Sequence, residues 1–281
     1  MHNRIIIFGM TLPAYGVIAV FGMAIVTLLG IVTVWCRKLS VESFIKLEFV
    51  GGSAAIIGAK LWDMITNAIE IQGYGISLDS FMDSGLSFYG GLIIGACSVF
   101  LTSQMLHLDF GLYAKNLIYL VPLLHGIWKI GCFMGGCCYG IPYNGLGFVI
   151  YPEGVKAPAG IEIFPIQLFE SGILFIMTAF FFVKGRRKEW KYPVLEYIGS
   201  YSGIRFCVEF FRWHNSKWSI SIAQIISLVC MAAVMLCICM KERTRAKRIK
   251  NEQQVENSIS VADWNSDCSI DRGYRYERLD S

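Results

Sequence analysis

The stretch that decides the fold is IIIFGMTLPAYGVIAVFGMAIVTLLGIVTVWC, Ile5 to Cys36, a run of 32 residues with no charged side chain. A bilayer core of about 30 Å is crossed by about 20 helical residues. The run therefore holds one span plus a turn at Pro13, and the span is expected from Ala14 to Trp35. It is too long for a signal-peptide core and no small-residue cleavage site follows it, so the span is expected to be retained. The rest of the chain agrees. Over its 281 residues, apolar types make up 55% and charged types 16%, with mean hydropathy +0.52. A soluble domain carries about 25% charged residues. Disordered, fibrous and ordinary cytosolic classes are thereby excluded.

Six further apolar stretches follow. They are Leu47–Ala68, Leu86–Leu106, Leu117–Cys138, Phe164–Val183, Val194–Phe211 and Trp218–Met240. Backbone polar groups in lipid must be satisfied within the segment, so the expectation is an all-α polytopic membrane helix bundle with about seven transmembrane helices. Val194–Phe211 is the least hydrophobic of them. Basic residues alternate between loops. Arg37, Lys38 and Lys46 follow the first span, Lys115 the third, and Lys184, Arg186, Arg187, Lys188 and Lys191 the fifth. Lys241, Arg243, Arg245, Lys247, Arg248 and Lys250 follow the last. The opposite loops hold only Arg4, Lys156 and Lys217, with Arg212 at the border. The positive-inside rule then places the N-terminus outside and the C-terminus in the cytoplasm. Residues 1–240 form the membrane domain. Residues 241–281, with nine basic and eight acidic side chains, read as a basic juxtamembrane stub and a largely disordered tail. That stub suits anionic headgroups; a nucleic-acid role is not expected.

Ionisable groups at membrane depth are costly and need a partner or a cavity. Tyr201, Arg205, Glu209 and Arg212 recur at spacings of 4, 4 and 3, one helix face that could grip an anion. The same spacing allows an internal Arg205–Glu209 pair with Arg212 reaching the interface. His125, Lys129 and Cys132 share a second face, in the stretch HGIWKIGCFMGGCCYG that ends at Gly140. Gln167 and Glu170 stand at i, i+3 in PIQLFE, and Tyr89 lies in GLSFYGGLIIG. All of these fall towards the outer half of the expected bundle, which predicts one polar pocket open outward or sideways into lipid. Lys60 and Asp63 read as a local pair. The ten cysteines lie mostly in apolar runs and read as small apolar fillers. His125, Cys132, Cys137 and Cys138 are four soft groups. Their spacing is not a CxxC pair, and adjacent cysteines chelate poorly, so no metal or other cofactor is expected.

Six segments in order resemble the bacterial phosphatidylglycerol–prolipoprotein diacylglyceryl transferase family, from Tyr15 to Met240. YGVIAV at 15–20 resembles that family's first-span Tyr-Gly segment. GLSFYGGLIIG resembles its Ser-Phe-His-Gly-Gly segment, and KIGCFMGGCCYG its Gly-Arg-hydrophobic-Gly-Asn-Phe signature. PIQLFE resembles Pro-Ser-Gln-Leu-Tyr-Glu. YSGIRFCVEFFR resembles the segment ending Val-Glu-Phe-Phe-Arg, and AQIISL the last-span stretch. The resemblance implies transfer of the diacylglyceryl group of phosphatidylglycerol to the lipobox cysteine of a prolipoprotein, in the bacterial cytoplasmic (inner) membrane. It implies catalytic roles for Tyr89, Lys129 and Arg205, and His125, one turn before Lys129, is a further catalytic candidate as a substitute base. It implies substrate binding by Tyr15, Cys132, Gly140, Gln167, Glu170, Tyr201, Glu209 and Arg212. Three positions depart from the family pattern: Tyr89 stands for its histidine, Lys129 for its arginine and Cys132 for its asparagine. A phenol is a weak base near neutral pH, but an acceptor thiol of pKa about 8.5 is already a few per cent thiolate. The same scaffold with changed lipid-headgroup or thiol/redox chemistry is the alternative.

Overall fold

The computed structural model describes residues 4–7, 10–70, 75–83, 85, 87–187, 189–213 and 220–276, and side chains within 13–69, 75–82, 85, 87, 90–187, 189–213 and 220–254. Lys188, Lys217 and the Tyr89 side chain fall outside these sets.

The chain opens with an antiparallel hairpin, β1 (Arg4–Ile7) and β2 (Met10–Pro13). Pro13 supplies the extended residue before α1 (Ala14–Cys36), the place where a missing N–H is tolerated. The buried face of α1 is Gly22, Val26, Gly30 and Val34, one small residue per turn. Val20, Phe21, Leu28, Val32 and Trp35 are exposed. That inversion of a soluble helix suits lipid outside and close packing inside.

α2 (Val41–Glu70), the short α3 (Leu78–Asp83) and α4 (Phe88–Met105) follow. α2 and α4 cross closely. A Cβ at Gly90 would stand 2.3 Å from the Gly58 carbonyl oxygen, so only glycine fits there. α5 (Phe110–Leu117) meets α6 (Leu120–Gly135) at a 45° break. The sequence reading took Leu117–Cys138 as one continuous span. Tyr119 and Leu120 are instead buried at the break, and Pro122 falls in the first turn of α6, where its missing N–H costs nothing.

Beyond α6, a second short hairpin, β3 (Val149–Ile150) and β4 (Glu162–Ile163), caps that end of the bundle. Tyr151, Ala157 and Ile163 form its buried core, with Phe133 and Tyr139 packed against them. α7 (Ile166–Gly185), α8 (Pro193–Glu209) and α9 (Ile222–Tyr276) complete the chain. α6 lies against α1 and α7, and α8 against α9. The helical backbone of α9 continues through residues expected to be an irregular tail. The turns after Met240 are rich in Lys, Arg and Glu, good helix formers, and Arg248 pairs with Glu252 at i, i+4.

Among the described residues, each of the seven apolar stretches overlaps a helix. Among the described residues, three helices are long and apolar enough to cross a membrane, Ala14–Cys36, Ile166–Gly185 and Ile222–Gln254, or four if α5 and α6 form one broken span. The others are shorter or carry charge. Those charges are satisfied locally. Thr27 Oγ1 donates to Glu48 at 2.5 Å, tying α1 to α2. Lys60 donates to the Phe81 and Met82 carbonyls at 3.2 and 2.8 Å. Asp63 accepts from Asn67 Nδ2 and the Gly85 N–H. Lys60 and Asp63 thus turn to different partners rather than to each other, because the α3 region lies across α2 and offers free carbonyls and an N–H.

Candidate active site

Four helix ends bring the chemistry together. α6 and α8 finish where α1 and α7 begin, so the C-terminal turns of one pair face the N-terminal turns of the other. Gly136, in the left-handed conformation (φ 65°), terminates α6 and sends the chain across its own end.

On α6, His125 and Lys129 share a buried face, as the spacing of four requires. Lys129 Nζ stands 2.7 Å from Glu170 Oε2 on α7, with the two side chains 10% and 2% exposed. This inter-helix pair is the firmest link in the site, and helical spacing could not reveal it. Glu170 Oε1 is buried and has no hydrogen-bond partner among the described residues. Ser171 Oγ donates to the Gly126 carbonyl at 2.8 Å, fixing α7 against α6 one turn away.

One turn before Glu170, Gln167 Nε2 donates to the Cys137 carbonyl at 2.8 Å and to the Tyr151 hydroxyl at 3.2 Å. Tyr151 lies in the capping hairpin, and burial pushes its phenol up to about 12, so it stays protonated. Gln167 thereby fastens the exit of α6 to both α7 and the cap.

On α8, the expected stripe forms as spaced. Arg205 Nη2 lies 2.6 Å from Glu209 Oε2, and Arg212 Nη1 lies 3.4 Å from the same oxygen. Ser221 Oγ, just before α9, donates to Glu209 Oε1 at 3.0 Å. Glu209 therefore orients two guanidinium groups. Arg205 Nη1 is buried and has no hydrogen-bond partner among the described residues. A buried cation with an unused donor is set to receive an anion. Tyr201 packs edge-on to His125 with ring centroids 5.1 Å apart, and stacks on Tyr197. Those contacts join α6 to α8 and fix the imidazole.

Gly140 forms an antiparallel bridge with Arg212, and a Cβ there would lie 2.4 Å from the Phe164 carbonyl oxygen. The Arg212 backbone is thus pinned by the same segment that leaves α6. Tyr15, in the first turn of α1, lies against Gly131: a Cβ there would stand 3.2 Å from Tyr15 Cδ2. Cys132 follows Gly131 on that side, and Tyr15 is within electrostatic reach of Cys132, Cys137 and Cys138. The backbone of Tyr89 lies in the first turn of α4. Ten of the twelve site residues expected from the sequence are joined to another of them through described contacts or a shared neighbour, and Tyr15 joins through Gly131. Sequence reasoning missed Ser221 and Tyr151. Each is a single polar residue in a connecting segment, with no periodic partner to mark it.

A helical bundle with long apolar helices and with buried guanidinium and ammonium groups gathered at one end is a polytopic membrane protein. The chain belongs to the prolipoprotein diacylglyceryl transferase family, whose profile matches residues 4–240. A phosphatidylglycerol–prolipoprotein diacylglyceryl transferase 2 of Clostridium perfringens is 28% identical over 225 residues, 79% of this chain and 88% of that protein. Phosphatidylglycerol–prolipoprotein diacylglyceryl transferases from Clostridium tetani and Clostridium botulinum are each 28% identical, over 227 and 220 residues, covering 90% and 87% of their lengths.

Proposed function

We propose that this chain transfers the diacylglyceryl group of phosphatidylglycerol to the lipobox cysteine thiol of an exported prolipoprotein, in a bacterial cytoplasmic membrane, with its N-terminus outside. The observation that carries the reading is the unused donor of buried Arg205, held in place by Glu209 beside the Lys129–Glu170 pair. The family and its named relatives supply the substrates.

In this reading the lipid phosphate lies between Arg205 and Lys129, with Arg212 supporting from the rim. The acceptor sulfur attacks the glyceryl carbon that bears the phosphate. A C–S bond forms, the C–O bond breaks, and glycerol phosphate leaves with the electron pair. Arg205 and Lys129 stabilise the charge that grows on the leaving phosphate. The acceptor proton passes to a nearby base, for which His125 and Tyr89 are the candidates. Tyr15, Gly140, Gln167 and Tyr201 shape the pocket for headgroup and peptide. The polar end of the bundle faces outward, where both substrates are reachable.

The test is transfer by Arg205 variants in membranes containing phosphatidylglycerol and a lipobox peptide. Arg205→Ala should abolish transfer. Arg205→Lys should lose most of it, since a fork becomes a point charge. Near-normal transfer by Arg205→Ala would contradict the assignment.

A further inference from the structure

The thiols of Cys132, Cys137 and Cys138 take no part in the transfer steps described above, yet the structure gathers them. Their three Sγ atoms all lie within 4.8 Å of one another. Two backbone features produce this. Gly136 ends α6 in the left-handed region, and the Cys137 N–H bonds back to the Cys132 carbonyl at 3.1 Å. Cys138 itself takes φ 56°, uncommon for a residue with a Cβ. In extended chain, neighbouring side chains point to opposite sides. The left-handed residue cancels that alternation and turns both adjacent thiols towards Cys132. Adjacent cysteines chelate poorly only when extended, and here they are not. His125, the fourth soft group of the sequence, does not join the cluster; its ring lies against Tyr201.

We propose that Cys132, Cys137 and Cys138 bind one zinc ion whose open fourth position takes the acceptor thiol. Three thiolates select a soft or borderline d10 ion. Tetrahedral zinc with Zn–S of about 2.3 Å sets its sulfurs about 3.8 Å apart, within a small side-chain rotation of the present spacing. Zinc with three protein ligands and a free position is the catalytic form. The Lys129 and Arg212 cations act on Cys138 through space, offsetting the negative charge of a three-thiolate site. Those same two cations belong to the phosphate pocket, so a fourth sulfur bound here stands beside the lipid headgroup.

The inference rests on the transferase reading for the identity of that fourth sulfur. Binding converts the acceptor S–H to thiolate and releases its proton. The zinc-held sulfur then forms the C–S bond as the glyceryl C–O bond breaks, glycerol phosphate departs with the electron pair, and zinc stays +2 throughout. At pH 7 a free thiol of pKa about 8.5 is about 3% ionised, so full ionisation gives roughly a thirtyfold gain. Cys132, at the position where the family pattern has asparagine, is then a ligand rather than a loss.

The test uses the full chain purified in detergent without chelators. One zinc per chain is expected by elemental analysis, and none in the Cys132→Ser, Cys137→Ser, Cys138→Ser triple variant. Cobalt loaded into the stripped protein should show thiolate charge-transfer and tetrahedral visible bands. A lipobox peptide should shift those bands, and the same peptide with serine for cysteine should not. Stripping unsubstituted protein should slow transfer about thirtyfold at pH 7, and added zinc should restore it, with no substitution to disturb folding. Zinc no higher than in the triple variant, or a disulfide among the three cysteines in its place, overturns the site. Full transfer by stripped protein overturns its role while leaving the transferase reading intact. Stoichiometric zinc with no transfer to any peptide overturns the transferase reading and leaves a metal site.

Discussion

Replacing Lys129 by methionine separates the structural part of the site from the chemical part. Lys129 and Glu170 meet at 2.7 Å with 10% and 2% of their side chains exposed. Removing one member leaves the other charged and buried, which costs about 3–5 kcal/mol. Among the described residues Lys129 is the only cation in ion-pair contact with Glu170, and Arg212 acts on it only through space, so Lys129→Met should fall within that range. Replacing both, as Lys129→Met with Glu170→Gln, removes the stranded charge and should recover more than half of the lost stability. Transfer should not recover with it. If the ammonium stabilises the leaving phosphate, its loss costs on the order of a hundredfold in rate, the scale of one oriented electrostatic donor. The assays are thermal unfolding in detergent and lipidation of a lipobox peptide, on the same preparations. A double variant that regained both stability and transfer would show that Lys129 only holds α6 to α7. Lys129→Arg should keep transfer, because a guanidinium can meet both Glu170 and the phosphate.

Further outcomes follow from other parts of the structure. Arg212→Lys should reduce transfer less than Arg205→Lys, since Arg212 stands 3.4 Å from Glu209 against 2.6 Å and Arg205 alone of the two has a buried, unused donor among the described residues; equal losses in the same lipidation assay would remove that distinction. Gly90→Ala would set a Cβ 2.3 Å from the Gly58 carbonyl oxygen and should destabilise the α2–α4 pair by about 1–3 kcal/mol in thermal unfolding. Cysteines placed at Ser77 and Glu153, both exposed, should react with an impermeant thiol reagent added to intact cells, and one at Arg187 should not. Labelling with the opposite pattern would reverse the orientation. Tyr89→His should be tolerated and Tyr89→Phe impaired in the transfer assay if the residue at this position moves a proton or orients the headgroup.

The helices were legible because lipid imposes a long apolar run on each of them, as from Ala14 to Cys36. The stripe from Tyr201 to Arg212 was legible because its members lie on one helix, where spacing fixes the face. The Lys129–Glu170 pair was not, since it joins two helices and no periodicity links residues 129 and 170. The break between α5 and α6 escaped notice because no glycine or proline stands between Leu117 and Leu120; tertiary burial of Tyr119 and Leu120 sets it. The two hairpins are too short to carry an alternating pattern. The gathering of the three thiols was not legible for a different reason. Spacing alone describes adjacent cysteines as divergent, and only the left-handed backbone at Gly136 and Cys138 makes them converge.

The most direct test of the central claim is mass spectrometry of a lipobox peptide incubated with the purified chain and phosphatidylglycerol. The account predicts a diacylglyceryl thioether on the peptide cysteine, one glycerol phosphate released per peptide modified, and neither product with Arg205→Ala. An unmodified peptide in the presence of folded protein and lipid, or modification that survives Arg205→Ala, would contradict it.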